Sequence, residues 1–282
     1  LSWRFHNDVV PSGRREVTAM VNRLTNKTIG ITGGASGMGL AFAHSFAHEG
    51  ANVLIVDLNE AAAAEAVNAI NEGGEGRAAF AVANVTEREQ VRSAIQTAVS
   101  HFGRLDAWFN NAGFNAPLQF LDITEDNFRR VMDVNSLGVL IGTQEAARQM
   151  IAQGGGGKII NTSSIAGREG FPTFAPYSAS KAAVISLTQS GAKALAPHDI
   201  TVNAFAPGVV ATPLWDKLDK DLYAIGDLKK EGTALDEYEK GIIRGRKAYP
   251  EDIVGTALFL ASSDSDYMTA QCVMIDGGVT LV

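Results

Sequence analysis

The feature that most constrains this chain is an alternation. Short β-branched or apolar runs recur, each separated from the next by a stretch of helical length. The runs are TIGIT (28–32), ANVLIVD (51–57), RAAFAVANV (77–85), LDAWFN (105–110), KIINTSS (158–164), ITVNAFA (200–206) and CVMID (272–276). Helical stretches lie at 37–50, 59–71, about 86–102, 124–153, 176–196 and 251–261. Thr86 and Glu89 suggest a capping box for the third. The run GGGG at 154–157 and Pro197 end two others. Strands joined through helices pair in parallel and are covered on both faces. The expected fold is therefore α/β: a single doubly wound domain, a seven-stranded parallel sheet with helices on both faces.

The clear pattern begins near Thr28, so residues 1–19 are read as an N-terminal extension and 20–282 as one domain. The charged stretch 214–243 falls in an insertion at about 207–248, placed where a substrate lid would sit. Hydrophobic residues make up 46% and charged residues 20%, a globular balance with no run long enough to span a bilayer. A net charge of −7 gives no reason to expect a nucleic-acid partner. With Cys272 as the one cysteine, an internal disulfide framework is excluded and a reducing, cytoplasmic setting is expected.

The sharpest local motif is TGGASGMG (32–39), between a strand and a helix. Gly33, Gly37 and Gly39 allow a tight turn and close approach of backbone to a phosphate, with Ser36 and Met38 on the same turn. The helix start behind it offers free N–H groups to a pyrophosphate. Asp57 ends the second strand, where a carboxylate accepts both hydroxyls of an adenosine ribose and repels a 2′-phosphate. Ser36 brings no compensating positive charge, so NAD is preferred over NADP. Asp57 serves equally well as a cap for the turn DLNE. Asn84, with Val85 after it, either faces an adenine or caps its own turn. Asn111, Ala112 and Gly113 of NNAG either lock strand to loop or form a platform beside the nicotinamide ribose.

At the carboxyl end of the fifth strand stands Ser164. Tyr177 and Lys181 lie four apart in YSASK, on one helical face. A hydroxyl, a phenol and an ammonium beside a dinucleotide suit proton transfer coupled to hydride transfer. A free phenol near pKa 10 is a poor base; bringing it near neutrality takes roughly 4 kcal/mol, which Lys181 and an oxidised nicotinamide are expected to supply. Ser164 would hold the reacting oxygen. No metal is needed: His44 and His48 lack the glutamate of a metallohydrolase pair.

Together these residues resemble the short-chain dehydrogenase/reductase family. The matching pieces are TGGASGMG, Asp57, NNAG, Asn135 in VMDVNSLG, Ser164 in NTSSIAG, YSASK and APG (206–208), spanning residues 25–282. The resemblance implies a Rossmann fold and a catalytic set of Asn135, Ser164, Tyr177 and Lys181. It implies that Asn135 distorts its helix, and that Pro207, Gly208, Val209 and Thr212 lie along the nicotinamide. Ser164, 13 positions ahead of Tyr177, fits the family spacing better than Ser163. A homotetramer, or a dimer, is also implied. The stretches KIINTSSIAGREG, KAAVISLTQS, NAFAPGVVATPLWDKLDK and SSDSDYMTAQCVMIDGG look like those of polyol (sorbitol or galactitol) and acetoin/2,3-butanediol dehydrogenases. A polyol is the expected substrate, with Asn115, Arg168, Glu169 and Trp215 as candidate contacts. The alternatives are a small diol, another secondary alcohol such as a 3-oxoacyl or steroid substrate, or a non-catalytic dinucleotide sensor.

Overall fold

The computed structural model describes residues 22–74 and 77–280; the extension read at 1–19 and the expected domain start at residue 20 lie outside them. Seven strands form one parallel sheet in the order β3-β2-β1-β4-β5-β6-β7. They are β1 (Thr28–Thr32), β2 (Asn52–Asp57), β3 (Arg77–Val82), β4 (Ala107–Asn110), β5 (Gly157–Thr162), β6 (Ile200–Pro207) and β7 (Cys272–Ile275). Every residue of β1 and β4 is buried, as expected for strands covered on both faces.

Three helices cover one face: α1 (Gly37–His48), α2 (Glu60–Gly73) and, after β6, a helix at Pro250–Ala261. Phe42 and Phe46 of α1 meet Phe109 of β4 with ring centres 6.0 and 5.0 Å apart, and Phe42 meets Phe205 of β6 at 5.8 Å. The other face carries α3 (Arg88–Phe102), α4 (Glu125–Met132), α5 (Gly138–Gln153) and α6 (Ala175–Leu195). Between β6 and the Pro250–Ala261 helix come α7 (Leu214–Ala224) and α8 (Ala234–Glu239), so that last helix is α9.

Three local expectations change. The capping box at Thr86 does not form, because the Asn84 carboxamide takes both the Thr86 N–H (3.1 Å) and its hydroxyl (2.9 Å). The helix starts later, at Arg88, behind Glu87. The stretch 124–153 is not one helix: a π turn, Asp133–Leu137, separates α4 from α5, and it lies at the distortion that the family resemblance implies for Asn135. The charged stretch 214–243 is two short helices, broken around Gly226 and Gly232, which adopt positive φ (75° and 83°).

The strand order reverses between β1 and β4, since the chain runs from β1 outward to β3 and then returns to β1's other side. A crevice opens at the carboxyl ends there, which is where open α/β sheets bind ligands.

Candidate active site

The turn after β1 forms the floor of that crevice. Gly33 and Gly37 hold φ values of 63° and 52°. A side chain at Gly33 would lie 3.0 Å from the Ala112 backbone, and one at Gly39 would collide with the Gly33 carbonyl. Ser36 caps α1 in an extended conformation without a side-chain hydrogen bond, so the first N–H groups of the helix stay free. Asp57 Oδ2 accepts from the Ala35 N–H (3.1 Å) and Oδ1 from the Asn59 N–H (3.0 Å). One bond per oxygen leaves each able to accept a ribose hydroxyl. Asp57 is not the cap of α2; Asn59 is, accepting from Ala62 N–H. A narrow glycine cradle, an open helix N-terminus and a ribose-height carboxylate fit a dinucleotide.

Thr32 and Asn111 tie β1 to β4. The Thr32 hydroxyl accepts from the Asn111 and Ala112 N–H groups (2.9 and 3.0 Å), and Asn111 Nδ2 donates to the Thr32 carbonyl (3.1 Å). Asn111 thus locks strand to loop, and it lines the cavity together with its neighbours Ala112 and Gly113. Asn84 caps its own turn through Oδ1, which leaves Nδ2 for a ligand. Val85 packs against Gly138, where an added side chain would meet it at 2.9 Å.

Asn135 is fully buried in the π turn. Its side chain pairs with the Phe114 backbone in both directions, accepting from the N–H at 3.0 Å and donating to the carbonyl at 2.9 Å. It also donates to Ser180 Oγ of α6 at 3.1 Å. The π turn brings Asn135 beside Gly113, where an added side chain would lie 3.1 Å from its Oδ1 and 3.4 Å from Lys181 Nζ.

Lys181 points inward from α6 and is 3% exposed. Its ammonium donates to the Thr162 carbonyl at 2.8 Å and sits 5.5 Å from the centre of the Tyr177 ring. Burial pulls its pKa down to about 8. Burial also pushes the Tyr177 phenol above its usual value, and the hydrogen bond with Ser164 only opposes this. The expected lowering of Tyr177 therefore does not arise from the protein's own groups: desolvation outweighs them. Ser164 Oγ accepts from Ala166 N–H (3.2 Å) and keeps its own proton for a partner. The Ser163 hydroxyl is committed to the Lys181 carbonyl at 2.9 Å. The geometry thus agrees with Ser164 over Ser163.

These groups share one cavity of about 440 Å³, a size suited to a small ligand. Gly33, Ser36, Gly37, Met38, Pro207, Gly208, Val209 and Thr212 line its end next to the glycine turn. Ser164, Tyr177, Asn115, Phe171, Phe174, Trp215, Leu218 and Tyr238 line the other. Arg168 and Glu169, expected as substrate contacts, lie outside it along a separate shallow depression. The Arg168 guanidinium instead lies near Cys272, where it opposes the upward push of burial on the thiol. Of the aromatic roof, sequence reasoning named Trp215 but not Phe174 or Tyr238: Tyr238 stacks on Phe174 at 5.8 Å and packs against Trp215 at 5.5 Å. Tyr238 is pushed up to about 12 by burial and by Asp227, against a hydrogen bond with Thr173. The periodic Leu218 and Leu222 of α7 were the available signal that this segment buries a face.

A family model described as enoyl-(acyl carrier protein) reductase matches residues 33–280. Galactitol 2-dehydrogenase of Agrobacterium fabrum is 44% identical over 257 residues, covering 91% of this chain and 98% of that protein. Diacetyl reductase [(S)-acetoin forming] of Staphylococcus epidermidis is 40% identical over 254 residues, covering 90% and 98%. The crystal structure of a short-chain type dehydrogenase/reductase from Mycobacterium marinum superimposes with a TM-score of 0.83 at 35% identity, covering 92% of this chain and 97% of the other. The chain belongs to the short-chain dehydrogenase/reductase family. It is an oxidoreductase of CH–OH groups that uses a nicotinamide dinucleotide, acting on secondary alcohols and ketones. Among the described residues, no helix is long and apolar enough to cross a membrane.

Proposed function

We propose that the chain interconverts a secondary alcohol and its ketone with NAD, using Tyr177 as the acid/base. The observation that carries this is the convergence of Tyr177, Ser164 and Lys181 on the cavity whose floor is the glycine turn. NAD, when bound, supplies the acceptor for the hydride of the carbinol carbon. Tyr177 takes the hydroxyl proton in oxidation and returns it in reduction. Ser164 donates to the same oxygen and stabilises the charge that develops there. Lys181, fixed by the Thr162 carbonyl, supplies positive charge beside the phenol and a donor for the nicotinamide ribose. Asn135 holds the Phe114 backbone and thereby the Gly113 platform.

Asp57, with Ser36 beside it, supports NAD over NADP. A polyol remains the substrate expected from sequence, in keeping with the galactitol relative. The second reading, a small diol or hydroxyketone, is favoured by the aromatic roof over the reacting groups. A homotetramer, with a dimer as the alternative, is supported by the exposed Phe120, Leu121 and Phe128; light scattering of the purified chain decides between them. With one cysteine, a cytoplasmic setting is proposed.

The test is Tyr177→Phe. Turnover of every alcohol in a panel of polyols, diols and simple secondary alcohols should fall at least about a thousandfold, with NAD affinity within a few-fold of wild type. Turnover within tenfold of wild type would overturn the assignment.

A further inference from the structure

We propose that Asn115 reads a second oxygen on the substrate, vicinal to the reacting carbon. The protein then selects compact 1,2-diols and α-hydroxyketones with apolar flanks over both mono-alcohols and long polyhydroxyl chains. This rests on the proposed secondary-alcohol chemistry at Tyr177.

Asn115 is 6% exposed, lines the cavity, and its carboxamide has no hydrogen-bond partner among the described residues. Its polar atoms are not sealed off but open to the cavity, so a ligand atom there would take the place of solvent on the carboxamide. The backbone on either side is held. Asn135 clamps Phe114 through two hydrogen bonds (3.0 and 2.9 Å), and Asn127 Nδ2 donates to the Ala116 carbonyl at 3.0 Å. Asn115 is therefore preorganised, while the groups that position it are themselves satisfied.

The chemistry of the carboxamide sets what it recognises. Its oxygen accepts from a hydroxyl and its nitrogen donates to a carbonyl, so it binds the second oxygen in the hydroxyl and in the keto form alike. A reaction run in both directions on a diol or hydroxyketone needs this property. Beyond it, the wall turns apolar. Tyr238 packs against both Phe174 and Trp215, with its phenol near Thr173. A hexitol would press further hydroxyls against these rings without partners. A methyl or methylene flank loses nothing there.

The test compares kcat/KM with NAD for 2,3-butanediol stereoisomers, 2-butanol and galactitol, on wild type and on Asn115→Leu, Asn115→Gln and Tyr177→Phe. In wild type, one 2,3-butanediol isomer should exceed 2-butanol and galactitol by at least about tenfold. Asn115→Leu should lower the diol value about 10- to 100-fold, leave 2-butanol within about threefold, and leave NAD affinity unchanged. Asn115→Gln should restore part of the loss. Equal losses for diol and mono-alcohol would mean that Asn115 is structural, and galactitol as the better wild-type substrate would refute the selectivity. Both results, if abolished by Tyr177→Phe, overturn this inference alone. Absence of Tyr177-dependent turnover across the panel overturns it together with the function on which it rests.

Discussion

Lys181→Met separates what the buried lysine costs the fold from what it gives the site. In the folded chain the ammonium titrates at about 8, against an ordinary value of 10.5. Each unit corresponds to about 1.4 kcal/mol, so holding the charged lysine in place costs about 3 kcal/mol at pH 7. The folded-state value is the lower one, so the unfolded chain binds more protons between about pH 8 and 10.5. Wild-type stability therefore rises through that window, and the cost falls to about 1.4 kcal/mol at pH 9.5. Methionine keeps much of the stem and has no charge to desolvate. It also loses the bond to the Thr162 carbonyl, worth about 1.5 kcal/mol or somewhat more. The variant should thus be about 1.5 kcal/mol more stable than wild type at pH 7, and that advantage should vanish by pH 9.5, where the cost and the lost bond are about equal. Tyr177, raised above its usual value, enters only at higher pH and is present in both proteins. Urea unfolding at pH 7, 8, 9 and 9.5 measures the difference, while the same variant should lose nearly all turnover. A stability difference that stays flat across this range would refute the reasoning.

Two further outcomes concern Asp57 and the aromatic roof. Asp57→Ala should raise KM for NAD at least about tenfold and narrow the NAD/NADP ratio of kcat/KM, because it removes the ribose acceptor and the repulsion of a 2′-phosphate; an unchanged ratio would remove Asp57 from cofactor choice. Tyr238→Leu should raise KM for the alcohol several-fold with kcat changed less, since it strips the roof of its stacked ring and its tie to Thr173; initial rates against alcohol concentration measure this, and an unaltered KM would place the roof outside substrate binding.

The sheet was legible because its signal is local. Runs such as TIGIT and NVLIVD are buried on both faces, and a strand of that kind is written in consecutive residues. The glycine turn, Ser164 and YSASK were legible because each stands at a strand end or on one helical face. Other features depend on contacts remote in sequence. The π turn at Asn135 interrupts an unbroken helical pattern; the family resemblance implied it, but no periodicity reports it, because it is held by the Phe114 backbone. Tyr238 sits among acids in LDEYEK and reads as surface until α8 folds over Phe174. Arg168 and Glu169 invite pairing as neighbours, yet the guanidinium lies near Cys272, far along the chain. Thr86 lost its cap role to Asn84, a competition between two side chains equally suited to the turn.

The segment bearing α7 and α8 joins the rest of the chain through a narrow neck. Val210 bridges Ala248, Ala211 N–H donates to the Ala248 carbonyl, and Ala248 N–H returns to Val209, both at 2.8 Å. Beyond the neck, Leu218, Leu222, Leu228 and Ala234 gather around Phe174 in a small apolar cluster separate from the two beneath and above the sheet. A change in α7 or α8 is therefore felt first within this cluster, whereas Thr212 beside Gly37 and Arg244, whose N–H donates to the Gly277 carbonyl at 2.9 Å, tie the ends of the stretch to the frame. Natural selection is free to revise one contiguous stretch of the gene for a new alcohol while the dinucleotide half is inherited intact. Recombination of that stretch between relatives, with its ends cut at the neck, is the laboratory counterpart of that history.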